Sequence, residues 1–398
     1  MRQQLLRIAK EFGTPCYVYF ADRLDLQASK LKAAVPAGWK IYYAMKANPH
    51  PEIVQAFRRH GFGIEIASGG ELAAALAAGV PAREIVFAGP GKTDKELAAA
   101  LAAGIHMLHA ESFGELQRID GIAHRLGKIA GVALRVNPLH TPGQAGLQMG
   151  GASRQFGIDA EQLTADKLAG LEQFDHVEVK GVHVYAASQV LDKSEFLAHA
   201  RQAFASAGRL ANHVGLEYVN IGGGIGIPYA KSEQEFDTAG LASALDTISK
   251  GQALGDAQVC LESGRYLAGP AGFFLAQVVD TKTSRGKNYA ILDGGMNCFL
   301  RPALTKTAHP SFNLLERGPA ETILTGPLCT PLDVLGTLDT IALPGDTIAF
   351  GQAGAYGFTE SMPLFLSHDL PCEVLVEHGP ARVITARRPG HGFAQPLP

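Results

Sequence analysis

The chain has 398 residues, enough for two or three domains of ordinary size, with 46% apolar and 18% charged residues and with 46 glycines and 22 prolines spread along it. That composition excludes a disordered chain or a coiled coil, and 35 basic against 38 acidic side chains, a net charge of -3, give no electrostatic case for nucleic acid or an anionic membrane surface. Five cysteines without a C-x-x-C pair argue against a disulfide framework or a zinc ribbon, so a cytoplasmic protein acting on small molecules, with no metal, is the expectation.

The opening MRQQLLRIAKEFG reads as a short amphipathic helix without the apolar core of a signal peptide, and later apolar runs such as Leu267 to Val279 fall short of the ~18 residues that span a bilayer. A strand signal at Cys16 to Phe20 follows. From Ile41 onward eight β-type runs alternate with Ala/Leu-rich helical stretches: Ile41 to Ala44, Gly63 to Ala67, Ile85 to Ala88, His106 to His109, Val132 to Val136, Gly181 to Val184, Tyr218 to Ile221 and Gln258 to Leu261. Eight parallel strands over about 230 residues match an α/β fold of (β/α)8 TIM-barrel type in count and length, with a doubly wound sheet as the alternative. After about Leu267 the runs AQVVDTK, NYAILDGG, ETILTG, DTIAFG and CEVLVEHG, separated by Gly/Pro-rich turns, predict a C-terminal all-β domain of sandwich or barrel type. The expected division is 24–266 for the barrel and 1–23 plus 267–398 for the β-domain, with Cys16 to Phe20 a candidate to pair in the latter.

In such a barrel the chemistry sits at the C-terminal ends of the strands, and polar residues fall there. Strand one opens into Tyr43-Ala44-Met45-Lys46, strand two ends at Ser68 with Glu71 following, and strand five ends Arg135-Val136-Asn137. Strand six ends His183-Val184-Tyr185-Ala186-Ala187-Ser188-Gln189, strand seven leads into Gly222-Gly223-Gly224, and strand eight into Glu262-Ser263-Gly264-Arg265. Lys46 reads either as a barrel-end cation paired with Glu65 or Glu71, or as a partly desolvated amine able to form a Schiff base with an aldehyde. The glycine run fails the dinucleotide pattern, since Ile227 and Tyr229 stand where a third glycine belongs, and no G-K-[ST] follows. A glycine turn after strand seven can still hold phosphate through bare backbone N–H groups, with Arg265 adding charge. A phosphate and a lysine in one barrel mouth suggest pyridoxal phosphate, and Glu262 then suits the pyridine nitrogen, against the plainer alternative of an ion pair with Arg265.

At this point the chain resembles the fold-type III pyridoxal-phosphate decarboxylases, the group of diaminopimelate, ornithine and arginine decarboxylases. The motifs that carry the resemblance are YYAMKAN around Lys46, ASGGEL at Ser68 to Leu72, GGGIGIPY at Gly222 to Tyr229, ESGRYL at Glu262 to Leu267, GPLCTPLD at Gly326 to Asp333 and GAYG at Gly354 to Gly357. The resemblance implies a barrel of alanine-racemase type and a head-to-tail homodimer with shared active sites. It also implies that Lys46 is the Schiff-base lysine, that Glu262 partners the pyridine nitrogen, and that Gly223, Gly224, Ser188 and Arg265 cradle the phosphate, with Tyr356 reaching it from the β-domain. Cys329 resembles the cysteine that reprotonates the substrate carbon across the dimer interface.

Departures bear on the substrate. Tyr185 stands where a histidine usually stacks on the cofactor ring, with His183 two residues earlier. Thr330 follows Cys329 where diamine-forming members carry an acid that pairs with the distal ammonium, and a hydroxyl cannot neutralise that charge. Arg301 resembles the arginine that binds the substrate's distal carboxylate in diaminopimelate decarboxylases, yet Thr305 replaces an expected tyrosine. GGASRQFGID at Gly150 to Asp159, GVHVY and GPLCTP are most like a subgroup acting on masked amino acids, such as glutamyl groups on an acyl-carrier protein or citryl-diamino-acid conjugates of siderophore assembly. The expectation is therefore decarboxylation of a small-molecule or carrier-bound amino acid. Diaminopimelate decarboxylation, a racemase and a non-catalytic, decarboxylase-like regulator are the alternatives. The segment His140 to Gly151 is a candidate substrate-facing loop.

Overall fold

Eight short runs of β-branched, aromatic and small residues that are buried on both faces can be satisfied only inside a covered parallel sheet, and a computed structural model of the chain describes that arrangement for residues 1–138, 147–148, 155–252 and 254–394. The chain divides into two units, Gln27–Ile227 with Glu235–Leu267, and Met1–Leu26 with Pro228–Gln234 and Ala268–Pro398.

The first unit is the barrel. Its strands are Lys40–Ala44, Gly63–Ile66, Ile85–Phe87, Met107–Ala110, Ala130–Asn137, Val177–His183, Tyr218–Asn220 and Gln258–Ser263, here called strands one to eight. Strands two, three and four follow in order from strand one, strands eight, seven, six and five from its other side, and strand four pairs with strand five to close the ring, every pairing parallel. Tyr42, Val86, Met107, Ala133, Tyr218 and Cys260 form a buried cluster, so the barrel is a packed core. Gly181 lets strands six and seven approach, since a Cβ there would lie 2.2 Å from the Tyr218 carbonyl oxygen. The helices begin on side-chain caps: Ser68 accepts from the Glu71 N–H (3.1 Å), while Glu71 reaches back to the Ala67 N–H (2.7 Å). Ser112 with Glu115 and Thr93 with Glu96 repeat the device. The Ser68 and Glu71 of the ASGGEL motif thus build a helix start.

The second unit is mainly sheet. Strand Cys16–Phe20 lies between Gly272–Ser284, antiparallel, and Cys372–Val376, parallel, so the N-terminal strand pairs in the β unit. Lys287–Leu292, Pro319–Thr325 and Val334–Thr340 extend one side, Ala381–Thr385 extends the other, and Thr347–Phe350 joins Gly272–Ser284 to Ser311–Asn313. The first helix, Arg2–Phe12, buries Leu5, Ile8 and Ala9 against Val18, Leu275, Ala349 and Val374. No helix among the described residues is long and apolar enough to cross a membrane. The candidate loop at 140–151 lies outside the described residues except for 147–148.

Candidate active site

Strand one ends in a single 3-10 turn, Met45–Ala47, that carries Lys46 out of the ladder. Its Nζ lies 3.4 Å from both carboxylate oxygens of Glu65 on strand two and 5.6 Å from the centre of the Tyr185 ring. Lys46 keeps 40% of its side chain exposed against 1% for Glu65, so the carboxylate is the more deeply buried partner of the expected Lys46–Glu65 pair. Burial pushes the Glu65 carboxyl up to about 8, and Lys46 pulls against it.

Behind the lysine stands a network that only the barrel register could assemble. Glu262, the inward residue of strand eight, accepts a hydrogen bond from Asn220 Nδ2 of strand seven (2.8 Å), and its Oε1 lies 3.4 Å from His183 Nε2 of strand six. Asn220 Nδ2 also donates to the Tyr218 hydroxyl (2.7 Å), which sits 3.0 Å from His109 Nε2 of strand four. The His109 and His183 rings stack at 4.2 Å between centroids. Burial opposes ionisation of Glu262, but the neighbouring His183 overrides it and holds the carboxyl well below the ordinary range. Burial, then His183, drives His109 well down, which keeps its ring neutral. Glu262 is thus a fixed anion beneath the barrel mouth, and the expected alternative of a Glu262–Arg265 ion pair gives way to these partners. Together His109, His183 and Glu262 also offer three ligand atoms within 4.8 Å of one another, a donor set with the composition of a metal site.

The phosphate candidates gather at the ends of strands six, seven and eight. Arg265 Nη2 lies 3.5 Å from Ser188 Oγ. A Cβ on Gly223 would sit 2.0 Å from the Glu262 carbonyl oxygen and one on Gly224 2.2 Å from that of Ala187, so only glycine lets the three strand ends meet. The Asn220 side-chain oxygen accepts from the Gly222 N–H (2.8 Å), and Gln189, held at φ +63°, bridges Ile227 by donating to its carbonyl (2.5 Å) and accepting from its N–H (3.2 Å). Bare backbone beside a buried guanidinium and a hydroxyl is a donor set for a phosphate, and a fixed carboxylate plus a lysine below it completes the fit for pyridoxal phosphate.

The remaining candidates lie in the β unit. Arg301 donates to both oxygens of Glu360 (3.0 and 2.9 Å) and its guanidinium stacks 4.6 Å above the Tyr356 ring. Tyr356 itself has φ +54°, a conformation non-glycine residues adopt only under constraint. Cys329 is exposed within the chain. Its turn is held by buried Asp333, which accepts from the Leu328 N–H (2.9 Å) and the Met296 N–H (2.7 Å), while Thr330 Oγ1 accepts from the Leu332 N–H (3.3 Å).

Sequence reasoning did not single out His109, Asn220 or Glu360. The signal for the first two was present as polar side chains inside runs that otherwise read as buried strand. Glu360 gave none, because its role depends on Arg301 59 residues away.

The chain is similar to known proteins over nearly its whole length. A family model described as the pyridoxal-binding domain of pyridoxal-dependent decarboxylases matches residues 22–269. An L-glutamyl-acyl-carrier-protein decarboxylase of Niallia circulans is 32% identical over 97% of this chain and 94% of its own length. A 2-((L-alanin-3-ylcarbamoyl)methyl)-2-hydroxybutanedioate decarboxylase of Staphylococcus aureus is 33% identical over 89% of this chain and 92% of its own. The crystal structure of diaminopimelate decarboxylase from M. jannaschii with L-lysine superposes with a TM-score of 0.90 at 30% identity, covering 99% of this chain and 94% of that one.

Proposed function

We propose, because this chain belongs to the pyridoxal-dependent decarboxylase family and uses pyridoxal phosphate, that it removes the α-carboxylate of an L-amino acid whose distal amine is absent or masked. The substrate class is a carrier-protein-bound glutamyl group or a citryl- or acyl-diamino-acid conjugate of the siderophore kind, and the site is shared across a homodimer. Thr330 carries the reading. Beside Cys329 it offers a hydroxyl already engaged by the Leu332 N–H and no negative charge, and an ammonium left unpaired in a partly buried site costs several kcal/mol by rough estimate, enough to reverse a substrate preference. Glu360 supports it from the other side. A distal carboxylate would meet an Arg301 guanidinium already neutralised, whereas a neutral amide or ester needs only hydrogen bonds.

In this reading Lys46 would hold the cofactor through its amine, with Tyr185 as the aromatic partner of its ring and Glu262 as the partner of its pyridine nitrogen. Gly223, Gly224, Ser188, Arg265 and Tyr356 would hold the phosphate. When bound, the cofactor supplies the electron sink that accepts the electron pair left by departing carbon dioxide. Glu262, its anion supported by the Asn220 hydrogen bond and the nearby His183, would favour a protonated pyridine nitrogen. Cys329 of a second copy brings its Sγ proton to the α-carbon, a role consistent with its exposure in the single chain.

The test is carbon dioxide release with pyridoxal phosphate present, comparing meso-diaminopimelate and ornithine with glutamyl-carrier and citryl-diamino-acid conjugates. Turnover of a masked substrate alone is expected. Turnover of meso-diaminopimelate at an ordinary enzymatic rate, of order 1 s⁻¹ or more, overturns the substrate claim and favours the second reading, diaminopimelate decarboxylation, for which Arg301 speaks.

A further inference from the structure

Two cysteines outside this site face each other in the β unit. Strands Cys16–Phe20 and Cys372–Val376 run in parallel with Cys16 in register with Cys372, and both thiols are free and buried. Neighbouring strands lie about 4.8 Å apart, inside the roughly 4.4–6.8 Å between Cα atoms that a disulfide spans. Paired positions point to one face of the sheet, and Cys372 Sγ there lies 3.8 Å from the Phe12 carbonyl oxygen and 3.8 Å from Arg387 Nη2.

The pair is chemically unequal. Arg387 Nη2 lies 3.8 Å from Cys372 Sγ while also donating to the Pro15 carbonyl (3.0 Å), so the cation is fixed at one sulfur from the chain preceding the other. The neighbouring Cys16, then the Arg387 charge, outweigh burial and the nearby Glu373 and bring Cys372 down to about 7. Cys372 and burial push Cys16 up. The guanidinium beside Cys372 favours its thiolate, while burial and the neighbouring sulfur favour the protonated thiol at Cys16, the division of labour of a reactive and a resolving cysteine.

We propose that Cys372 and Cys16 form a peroxide-responsive dithiol that closes to a disulfide and ties the N-terminal strand of the β unit to its C-terminal strand. The Cys372 thiolate attacks one peroxide oxygen, the O–O bond breaks, and the departing hydroxide takes a proton to become water, leaving a sulfenic acid. Cys16 then loses its proton and attacks Cys372 Sγ; the S–O bond breaks and a second water leaves. Two thiols are oxidised by two electrons and one hydrogen peroxide is reduced to two waters. Neither cysteine holds cofactor or substrate in the reading above, so the dithiol stands or falls independently of it.

The reduced holoenzyme is treated with a small excess of hydrogen peroxide at neutral pH, alkylated and peptide-mapped, which separates this pair from exposed Cys329. The expected product is a linked Cys16–Cys372 peptide lighter by two hydrogens and restored by dithiothreitol. Arg387→Gln should slow its appearance about tenfold by lowering the thiolate fraction while leaving the cofactor absorbance unchanged. Cys16→Ser should leave Cys372 oxidised without a bridge. Absence of the linked peptide after Cys329 has been fully oxidised overturns the proposal, and an unchanged rate in the Arg387 variant removes the activated thiolate from it.

Discussion

In the barrel unit, Glu262, Asn220, His183 and His109 come from four strands, are each at most 3% exposed, and meet through side-chain contacts that strand register sets. In the β unit, Cys329 and Thr330 sit on a turn whose geometry is fixed by a different residue, Asp333, and Arg301 is paired with a Glu360 that is 30% exposed. The contrast separates two tasks. Groups proposed to handle a fixed cofactor are tied into strand register, where replacing one leaves a buried partner unsatisfied. Groups proposed to choose the substrate hang from a backbone that holds without them, so their chemistry can change while the fold stays.

The sharpest way to break this comparison is at Lys46. Lys46→Ala should abolish the visible absorbance of the bound cofactor and lower turnover by about 10³-fold or more, roughly 4 kcal/mol of transition-state stabilisation. Normal turnover there would remove the mechanism. The buried partner makes a second prediction, read in the cofactor-free protein. A carboxyl whose folded pKa lies above its unfolded one contributes stability that is fully present below the unfolded pKa and is lost as pH rises through the folded pKa, here about 8. Wild type should therefore lose stability relative to Glu65→Gln between pH 5 and 8, by at most about 1.4 kcal/mol per pH unit. A difference in denaturation midpoint that stays flat over that range would mean that Lys46 keeps Glu65 ionised throughout.

Much of this was legible before any coordinates. The eight strand runs fall within a few residues of the observed strands because each is a short apolar stretch bounded by turn residues, and the alternation with helices leaves a closed parallel barrel as the simplest cover. Lys46, Glu262, Arg265 and the glycine run were visible because polar or bare residues at strand ends have no structural reason to recur. Partners were not legible. The plainer alternative for Glu262 was an ion pair with Arg265, three residues on, but strand eight turns into a helix at Arg265, while register brings Asn220 and His183 across. Ser68 and Glu71, placed at a strand end like the rest, turn out to start a helix, since capping and catalysis draw on the same side chains.

The β unit offers the smaller effects, and they sharpen the comparison. Cys329→Ala should slow turnover about 10²-fold, or divert the proton to the cofactor carbon and yield aldehyde with inactive amine cofactor, while cofactor binding holds. Equal rate and product partition would leave Cys329 without a chemical role.

Thr330→Asp asks whether one turn residue sets the substrate. The aspartate can accept the Leu332 N–H as the threonine hydroxyl does, and Asp333 still holds the turn, so the fold should tolerate it. What changes is the charge. An anion beside Cys329 can pair with a distal ammonium that the hydroxyl leaves bare, and kcat/KM for ornithine or meso-diaminopimelate should rise about tenfold while that for a masked substrate falls. The two ratios moving oppositely is the outcome that matters, because a general loss of activity would lower both. If neither diamine substrate gains, the distal end is read elsewhere, and the Arg301–Glu360 pair becomes the next place to look: Glu360→Gln would free the guanidinium, and a gain confined to substrates with a distal carboxylate would locate the selection there.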